Sequence, residues 1–251
     1  MQPTPTTDAY AKIFSDKKTV MVVMAHPDDL EVFCGGTVAR LVADGKTVIS
    51  VKLTSGNRGS KDTEVSLDAL ARQRLAEDAN SMAVFGIPPE RSVNLLINDG
   101  EVENSLEVIG KIAFLIRKFQ PELIITANPE NVIVRHSEGT NWVNHRDHRL
   151  TATSALDAAY PYSRDRSFFP QHFNDSSLRP ANCTEFLIAD SWTGVDEVLI
   201  DVANFIGTAK KAMLCHTSQV DAAYVKNSVE FFTTHDNTNG VHEKFRYVIA
   251  D

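Results

Sequence analysis

The stretch Thr19-Val20-Met21-Val22-Val23-Met24-Ala25-His26-Pro27-Asp28-Asp29 decides the fold. Its first part, Thr19 to Ala25, is uncharged and runs apolar without alternation. A short, unbroken run of that kind predicts a strand buried on both faces, as the strands of parallel sheets are. An imidazole and two carboxylates follow at its carboxyl end. Open parallel sheets bind their ligands just beyond that end.

Working outward, strand and helix patterns alternate. Gly35 to Ala43 predicts a helix, with Val38, Leu41 and Val42 at helical spacing and Gly45 just past its end. Thr47 to Leu53 predicts the second strand, and the Ser- and Gly-bearing loop Thr54 to Lys61 follows it. Thr63 to Phe85 predicts a long helix, Val93 to Leu96 a short strand, Ser105 to Phe119 a helix, and Pro121 to Ala127 another buried strand. This is the βαβ pattern of a parallel sheet. Asn128 to Asn144 has no clear periodicity and predicts a long functional loop, with Asp147 to Ala159 helical after it. Arg164 to Asn182 is polar and aromatic and predicts an irregular surface excursion. Thr184 to Ile188 and Val198 to Ile200 as strands, Val202 to Cys215 as a helix, and Lys244 to Ile249 as a last edge strand form a smaller extension. One domain over residues 1–251 is expected, its first 17 residues irregular.

Composition excludes several function classes. The 251 residues can bury a sizeable core, and 43% hydrophobic with 23% charged residues is ordinary for a globular protein. A net charge of −8 gives no electrostatic draw to nucleic acid or to an anionic membrane. Cys34, Cys183 and Cys215 are widely spaced without a C-x-x-C pair. That fits a reducing compartment and provides neither a disulfide framework nor a thiolate zinc site. Met1 to Lys18 lack a basic start and apolar run, and no apolar stretch is long enough to span a bilayer. A cytoplasmic location without membrane insertion is expected.

Two adjacent carboxylates beside an imidazole repel each other unless a cation compensates them. A divalent metal does so directly. His26 offers a nitrogen ligand and Asp29 an oxygen ligand, while Asp28 must point elsewhere and is free to take a proton from water. The competing reading is a Pro-Asp-Asp turn with an exposed histidine. A second cluster, Asn144-His145-Arg146-Asp147-His148, closes the long loop. His145 and His148 share one side of a helical turn, so one can bind metal while the other reaches toward substrate. Asp147 is placed to accept a hydrogen bond from His145; alternatively it marks a charged helix start. Together the clusters supply His26, Asp29 and His148, an N/O set that leaves a fourth position for water, as catalytic zinc sites do. Such a set also suits iron(II) or cobalt(II).

Gly35-Gly36-Thr37 lacks dinucleotide-binding spacing and reads as close helix packing. Arg58 reads as a solvated turn residue or a substrate contact. His136, His172, His235 and His242 have no ligand-like spacing.

These motifs carry a family resemblance. Ala25-His26-Pro27-Asp28-Asp29, then Cys34-Gly35-Gly36-Thr37, Arg74-x-x-Glu77, Asp99-Gly100, His145-x-Asp147-His148, His216-Thr-Ser-Gln219 and Glu243-Lys-Phe-Arg246 resemble, in order, the PIG-L/LmbE-like deacetylases. The resemblance implies a Rossmann-like, mostly parallel twisted sheet with helices on both faces. It implies a zinc ion and hydrolysis of an N-acetyl group on a small amino-sugar conjugate. By it, His26, Asp29 and His148 are ligands and Asp28 the general base. His145 stabilises the oxyanion, in protonated form, or protonates the leaving amine, with Asp147 orienting it. Arg74 and Asp99 fall at substrate contacts. Many members have Glu directly after the two aspartates, whereas here Leu30 precedes Glu31. The alternatives are a zinc amidase or esterase on a non-sugar substrate, and a silent sugar- or metal-binding protein. The oligomeric state stays open, a homo-oligomer included.

Overall fold

Along β1 (Thr19–Met24), alternation sends Val20, Val22 and Met24 into one apolar layer and Met21 and Val23 into the other. Both layers are covered, which is why the strand reads as a continuous apolar run. The computed structural model describes residues 8–60, 64–137, 140–190, 195–233 and 239–250. Residues 1–7 of the expected irregular start, His235 and the side chain of His136 lie outside that description.

β1 is the hub of a seven-stranded sheet of order β3-β2-β1-β4-β7-β9-β8. Its flanking strands are β2 (Thr47–Thr54) and β4 (Leu123–Thr126), both parallel to it, so that Val22 lies between Ser50 and Ile125. β3 (Ser92–Ile97) is parallel to β2, and β7 (Glu185–Ile188) is parallel to β4. Only β9 (His242–Ile249) runs against its neighbours β7 and β8 (Glu197–Asp201). One layer is built on α1 (Tyr10–Phe14), α2 (Asp29–Ala43), α3 (Leu67–Phe85) and α6 (Ile206–Met213). The opposite layer is built on α4 (Leu106–Phe119) and α5 (Arg146–Asp157). The expected parallel α/β fold with helices on both faces is the observed one. Chain order reverses between β1 and β4, and the ends of these two strands open the crevice in which such folds bind ligands.

Several elements depart from the sequence reading. The expected edge strand Lys244–Ile249 is interior, because β8 pairs along its outer side. The expected loop Asn128–Asn144 contains a two-stranded hairpin, β5 (Ile133–Ser137) and β6 (Thr140–Val143). A helix not read from the sequence, α7 (Ala222–Thr233), lies between α6 and β9. α1 occupies part of the expected irregular start. Among the described residues no helix is long and apolar enough to cross a membrane.

α2 begins at Asp29 rather than Gly35, and kinks at Cys34 (φ −152°, ψ 19°). Beyond the kink, the Gly36 and Thr37 N–H groups each donate at 2.7 Å to the Glu243 carboxylate of β9. A Cβ on Gly36 would meet Val202 at 2.6 Å, so close packing is also required there. The Gly-Gly-Thr turn thus holds a carboxyl group of the protein's own as well as packing closely.

The excursion after α5 is organised by one cation. Arg117 of α4 is 1% exposed, and its guanidinium donates to the carbonyls of Tyr162, Ser163, Asp165, Phe168 and Phe169. His172 Nδ1 lies 3.0 Å from the same group. The predicted irregular stretch is therefore a loop wound around a buried guanidinium.

Candidate metal and active site

Just past the end of β1, the Ala25 carbonyl still accepts from the Thr54 N–H of β2 at 2.8 Å, so His26 is held at the crevice. Its N–H donates to Asp29 Oδ2 at 2.7 Å. His26 Nδ1 lies 3.3 Å from Asp29 Oδ2 and 3.2 Å from His148 Nε2, and His148 Nε2 lies 3.2 Å from Asp29 Oδ1. A tetrahedron with metal–ligand arms of about 2.0–2.1 Å has edges of about 3.3–3.4 Å. The spacing of this donor set therefore fits a divalent ion. His145 completes a group of three imidazoles, its ring centroid 4.9 Å from that of His26 and 5.4 Å from that of His148.

The other nitrogen of His26 faces carboxylates. Nε2 lies 3.0 Å from Asp99 Oδ1 and 3.5 Å from Asp147 Oδ2. That is the arrangement in which a second carboxylate fixes the tautomer of a metal-ligating histidine. Burial opposes charge on His26, but Asp29, Asp147 and Asp99 outweigh it and hold the imidazole well above its ordinary pKa. Burial would likewise raise Asp29, yet His148 and His26 keep it well below the usual carboxylate range. The field of this cluster favours a cation.

Asp28 stands apart from its neighbour because its backbone is left-handed, with φ 105°. A non-glycine residue in that region is strained and persists only where its surroundings impose it. Arg74 of α3 does so, for its Nη2 donates to Asp28 Oδ2 at 2.9 Å and to the Pro27 carbonyl at 2.5 Å. Its Nη1 donates to the Gly56 carbonyl at 3.0 Å. Gly56 has φ +65°, and a Cβ there would lie 2.2 Å from Arg74 Nη1, so only glycine lets the guanidinium pass. Desolvation pushes Asp28 up to about 6 despite Arg74. The Asp28 side chain keeps 20% exposure, so it remains reachable from the crevice.

Three of the expected site residues have partners within the chain. Arg74 is 3% exposed, with donors committed to the chain around Asp28; it braces that residue instead of reaching into open space. Asp99 turns its carboxylate to His26. Asp147 was expected to orient His145 through its carboxylate. That carboxylate accepts instead from the Gly100 and Val102 N–H groups at 2.6 and 3.3 Å. The link to His145 runs through the main chain, the Asp147 N–H donating to His145 Nδ1 at 3.2 Å. This leaves the proton of the neutral ring on Nε2, and burial together with His26 and His148 lowers the His145 pKa. His145 itself is exposed at the mouth. Arg58 is at the rim, on the Asp99 carbonyl at 2.7 Å and Glu101 at 2.5 Å.

Two residues around the site, Asn57 and Phe33, were not read from the sequence, and two motif residues, His216 and Glu77, lie beside it. Asn57 accepts the Asp99 N–H at 3.0 Å and donates to Asn98 at 2.8 Å, fixing the loop that carries Asp99. Phe33, one turn after Asp29, packs its edge on the His148 ring at 5.5 Å. His216 is fully buried, 3.2 Å from Glu31, beneath the site instead of in it. Glu77 accepts from Thr217 Oγ1, Ser218 N and Ser218 Oγ at 2.9, 2.9 and 2.6 Å, which joins two of the sequence motifs. An Asx- or Ser-rich loop offers no periodic signal from which such contacts follow.

Comparison with known proteins bears on this geometry. A diacetylchitobiose deacetylase of Thermococcus kodakarensis is 30% identical over 148 residues, covering 58% of this chain and 50% of that protein. A 1D-myo-inositol 2-acetamido-2-deoxy-alpha-D-glucopyranoside deacetylase of Catenulispora acidiphila is 23% identical over 249 residues, covering 82% and 81%. The N,N'-diacetylchitobiose deacetylase structure from Pyrococcus horikoshii, complexed with its inhibitor MPG, superposes with a TM-score of 0.79 at 25% identity, over 94% of this chain and 85% of that one. The sequence profile of PIG-L, described as GlcNAc-PI de-N-acetylase, matches residues 21–159, from β1 through α5. That stretch holds both His/Asp clusters and more than half of the chain, and by it the chain belongs to the PIG-L family.

Proposed function

We propose that this chain is a zinc-dependent hydrolase that removes an N-acetyl group from a small amino-sugar conjugate. The carrying observation is that His26, Asp29 and His148 face one another through donor atoms 3.2–3.3 Å apart, each imidazole against its own oxygen of Asp29, beside a braced, partly desolvated Asp28. The acetamide chemistry named for the Thermococcus and Catenulispora relatives supports the same reading.

A zinc ion held by His26 Nδ1, Asp29 and His148 Nε2 would polarise the acetamide carbonyl and acidify water in the crevice. Asp28 accepts the proton of the attacking water as the new C–O bond forms. Arg74 keeps the accepting carboxylate aimed at that water. His145, with its proton on Nε2, donates a hydrogen bond to the oxyanion that develops on the carbonyl oxygen. In this reading His145 acts as a neutral donor, since an imidazolium would turn a proton on Nδ1 against the Asp147 N–H. Asp28 returns its proton to the amine as the C–N bond breaks, and acetate leaves. Asp99 and Asp147 hold His26, and Arg58 is left as the rim residue able to meet substrate hydroxyls.

The unit extends over the whole described chain, because β9 carries Glu243 to α2. A cytoplasmic setting accords with the free cysteines Cys34, Cys183 and Cys215. The test is metal analysis of protein purified without added metal, coupled to acetate release from N-acetylglucosamine-type sugars before and after chelation. Stoichiometric zinc with chelator-sensitive release is the expected result. Metal-loaded protein that frees no acetate from any N-acetylated sugar would refute it.

A further inference from the structure

A group of polar side chains lies buried beneath the site, where α2, α3, β2 and the turn that follows α6 meet. Glu31 Oε1 accepts from the Ser81 hydroxyl of α3 and from His216 Nε2, the latter at 3.2 Å. Asp78 of α3 pairs with Lys52 of β2 at 2.8 Å. The donor atoms of Glu31, Asp78 and His216 lie within 4.8 Å of one another, a spacing open to a metal ion. Lys52 already supplies that group with a cation. Burial opposes charge on His216, yet Glu31, Asp28 and Asp78 hold its pKa above the ordinary imidazole value. Two carboxylates thus face two cationic groups, and a buried network satisfied in this way holds its members rigidly.

What this network holds is one turn of α2. Asp28 stands at the cap position of the helix, but its side chain makes no bond to the helix amides and is taken up by Arg74. Five residues after Asp29, helical geometry breaks at Cys34. Asp29 to Phe33 is therefore a single turn between an uncapped start and a kink. A turn of that length is unstable by itself and takes its place from what it packs against. Leu30 enters the larger apolar layer, and Val32 packs on the small cluster of α6 and α7. Apolar burial is non-directional, so these contacts hold the turn down without fixing its rotation. Hydrogen bonds are directional, and the Glu31 carboxylate has to meet Ser81 on one element and His216 on another.

Glu31 follows Asp29 by two residues, which is about 200° around a helix axis. The carboxylate in the crevice and the carboxylate in the buried network therefore leave the turn on nearly opposite sides. A rotation that parts Glu31 from His216 also swings Asp29 away from His26 and His148. His216 is itself fixed. The N–H groups of Gln219 and Val220 donate to its carbonyl at 2.9 and 3.0 Å. Thr217 and Ser218 beside it bond Glu77, one turn of α3 beyond Arg74. Among the described residues the His216 ring bonds Glu31 and none of the proposed ligands.

We propose that His216 is a positioning residue for the metal centre: by its bond to Glu31 it sets the rotation of the Asp29–Phe33 turn, and with it the Asp29 carboxylate against His26 and His148. This rests on the zinc reading of that cluster given above.

The experiment measures zinc affinity, by competition with a chromogenic chelator, in the parental protein, His216→Leu and His216→Gln. Amide exchange of the metal-free proteins, read by mass spectrometry, runs beside it. Leucine fills the space without a donor for Glu31, whereas glutamine keeps one. His216→Leu is expected to weaken zinc binding by about 10–100-fold, the range seen when a group supporting a metal ligand is lost. It is also expected to speed exchange at residues 28–33 while β1 and β4 stay protected. His216→Gln is expected to return zinc affinity to within about threefold of the parental value and to slow that exchange again. Should His216→Leu lose protection throughout the sheet, Ser81→Ala, which removes the other donor to Glu31, stands in, with about tenfold weaker zinc binding expected. Parental zinc affinity in the folded variant, or a glutamine variant as weak as the leucine one, overturns the positioning role. A parental protein that binds no zinc overturns the zinc reading, and exchange then decides by itself. Faster exchange confined to residues 28–33 and reversed by glutamine supports the hold on this turn, and its absence overturns it.

Discussion

The Arg74 guanidinium sits 2.9 Å from the Asp28 carboxylate and, with the same nitrogen, holds the carbonyl of Pro27. One side chain therefore fixes both the backbone and the side chain of the proposed base. Asp28→Asn should leave zinc bound while lowering acetate release by roughly 10²–10⁴-fold, the usual share of a general base. Turnover at the parental rate with full metal content would remove Asp28 from the mechanism.

Arg74→Lys keeps the charge but cannot bridge Asp28, Pro27 and Gly56 with a planar fork. A loss of roughly 10–100-fold in kcat with zinc retained is expected, the range seen when a supporting residue is removed. Were Arg74 a substrate contact, KM would rise and kcat would hold, so steady-state kinetics on one N-acetylated sugar separates the roles.

Asp99 faces His26 at 3.0 Å, so Asp99→Ala should weaken zinc binding by roughly 10–100-fold. Competition with a chromogenic chelator measures this without substrate. Unchanged zinc affinity combined with a raised KM would return Asp99 to substrate contact.

Burial pushes the Glu243 carboxyl up to about 7, against an ordinary 4.5, although two backbone N–H groups favour its charged form. The folded protein thus holds this proton more tightly than the unfolded chain. The contribution to stability is full below pH 4.5 and is lost as pH rises through about 7. Between pH 4.5 and 8 it amounts to something on the order of 3 kcal/mol. Urea denaturation at pH 5 and pH 8 should show the parental protein losing stability relative to Glu243→Gln. Parallel pH dependence in the two proteins would mean that Glu243 titrates normally.

Removing Arg117 strips the donors from several carbonyls in the turn after α5. Arg117→Met should destabilise the fold by about 3 kcal/mol or more and expose the 160–174 segment to proteolysis. Limited digestion followed by mass spectrometry locates the first cut; resistance of that segment equal to the parental protein's would show the turn holds without its cation.

The parallel core was legible because its strands are apolar on both faces, and TVMVVMA admits few other readings. The two His/Asp clusters were legible because crowded carboxylates and imidazoles need a cation wherever they lie. Contacts made by long-range pairing were not legible in this way. Nothing local in His242–Ile249 says that β8 will pair along its far side. The hairpin 133–143 hides in a loop because its exposed Ile133 and Val143 break the alternation expected of a half-buried strand. Asp147 shows the same limit at the scale of one residue. Spacing places it beside His145, but only the fold brings the amides of Gly100 and Val102 within reach of its carboxylate.

The bond from Glu243 to Gly36 and Thr37 has a consequence for synthesis. A chain emerging amino end first can assemble β1, β2, β3 and β4 early, since each meets a neighbour already made. The kinked helix that presents Asp29 must wait, two of its amides lacking an acceptor until β9 slots between β7 and β8. Zinc uptake would then be worth following during synthesis: a nascent chain halted before residue 243 carries every proposed metal ligand, yet lacks the carboxyl that accepts from the helix beyond its kink.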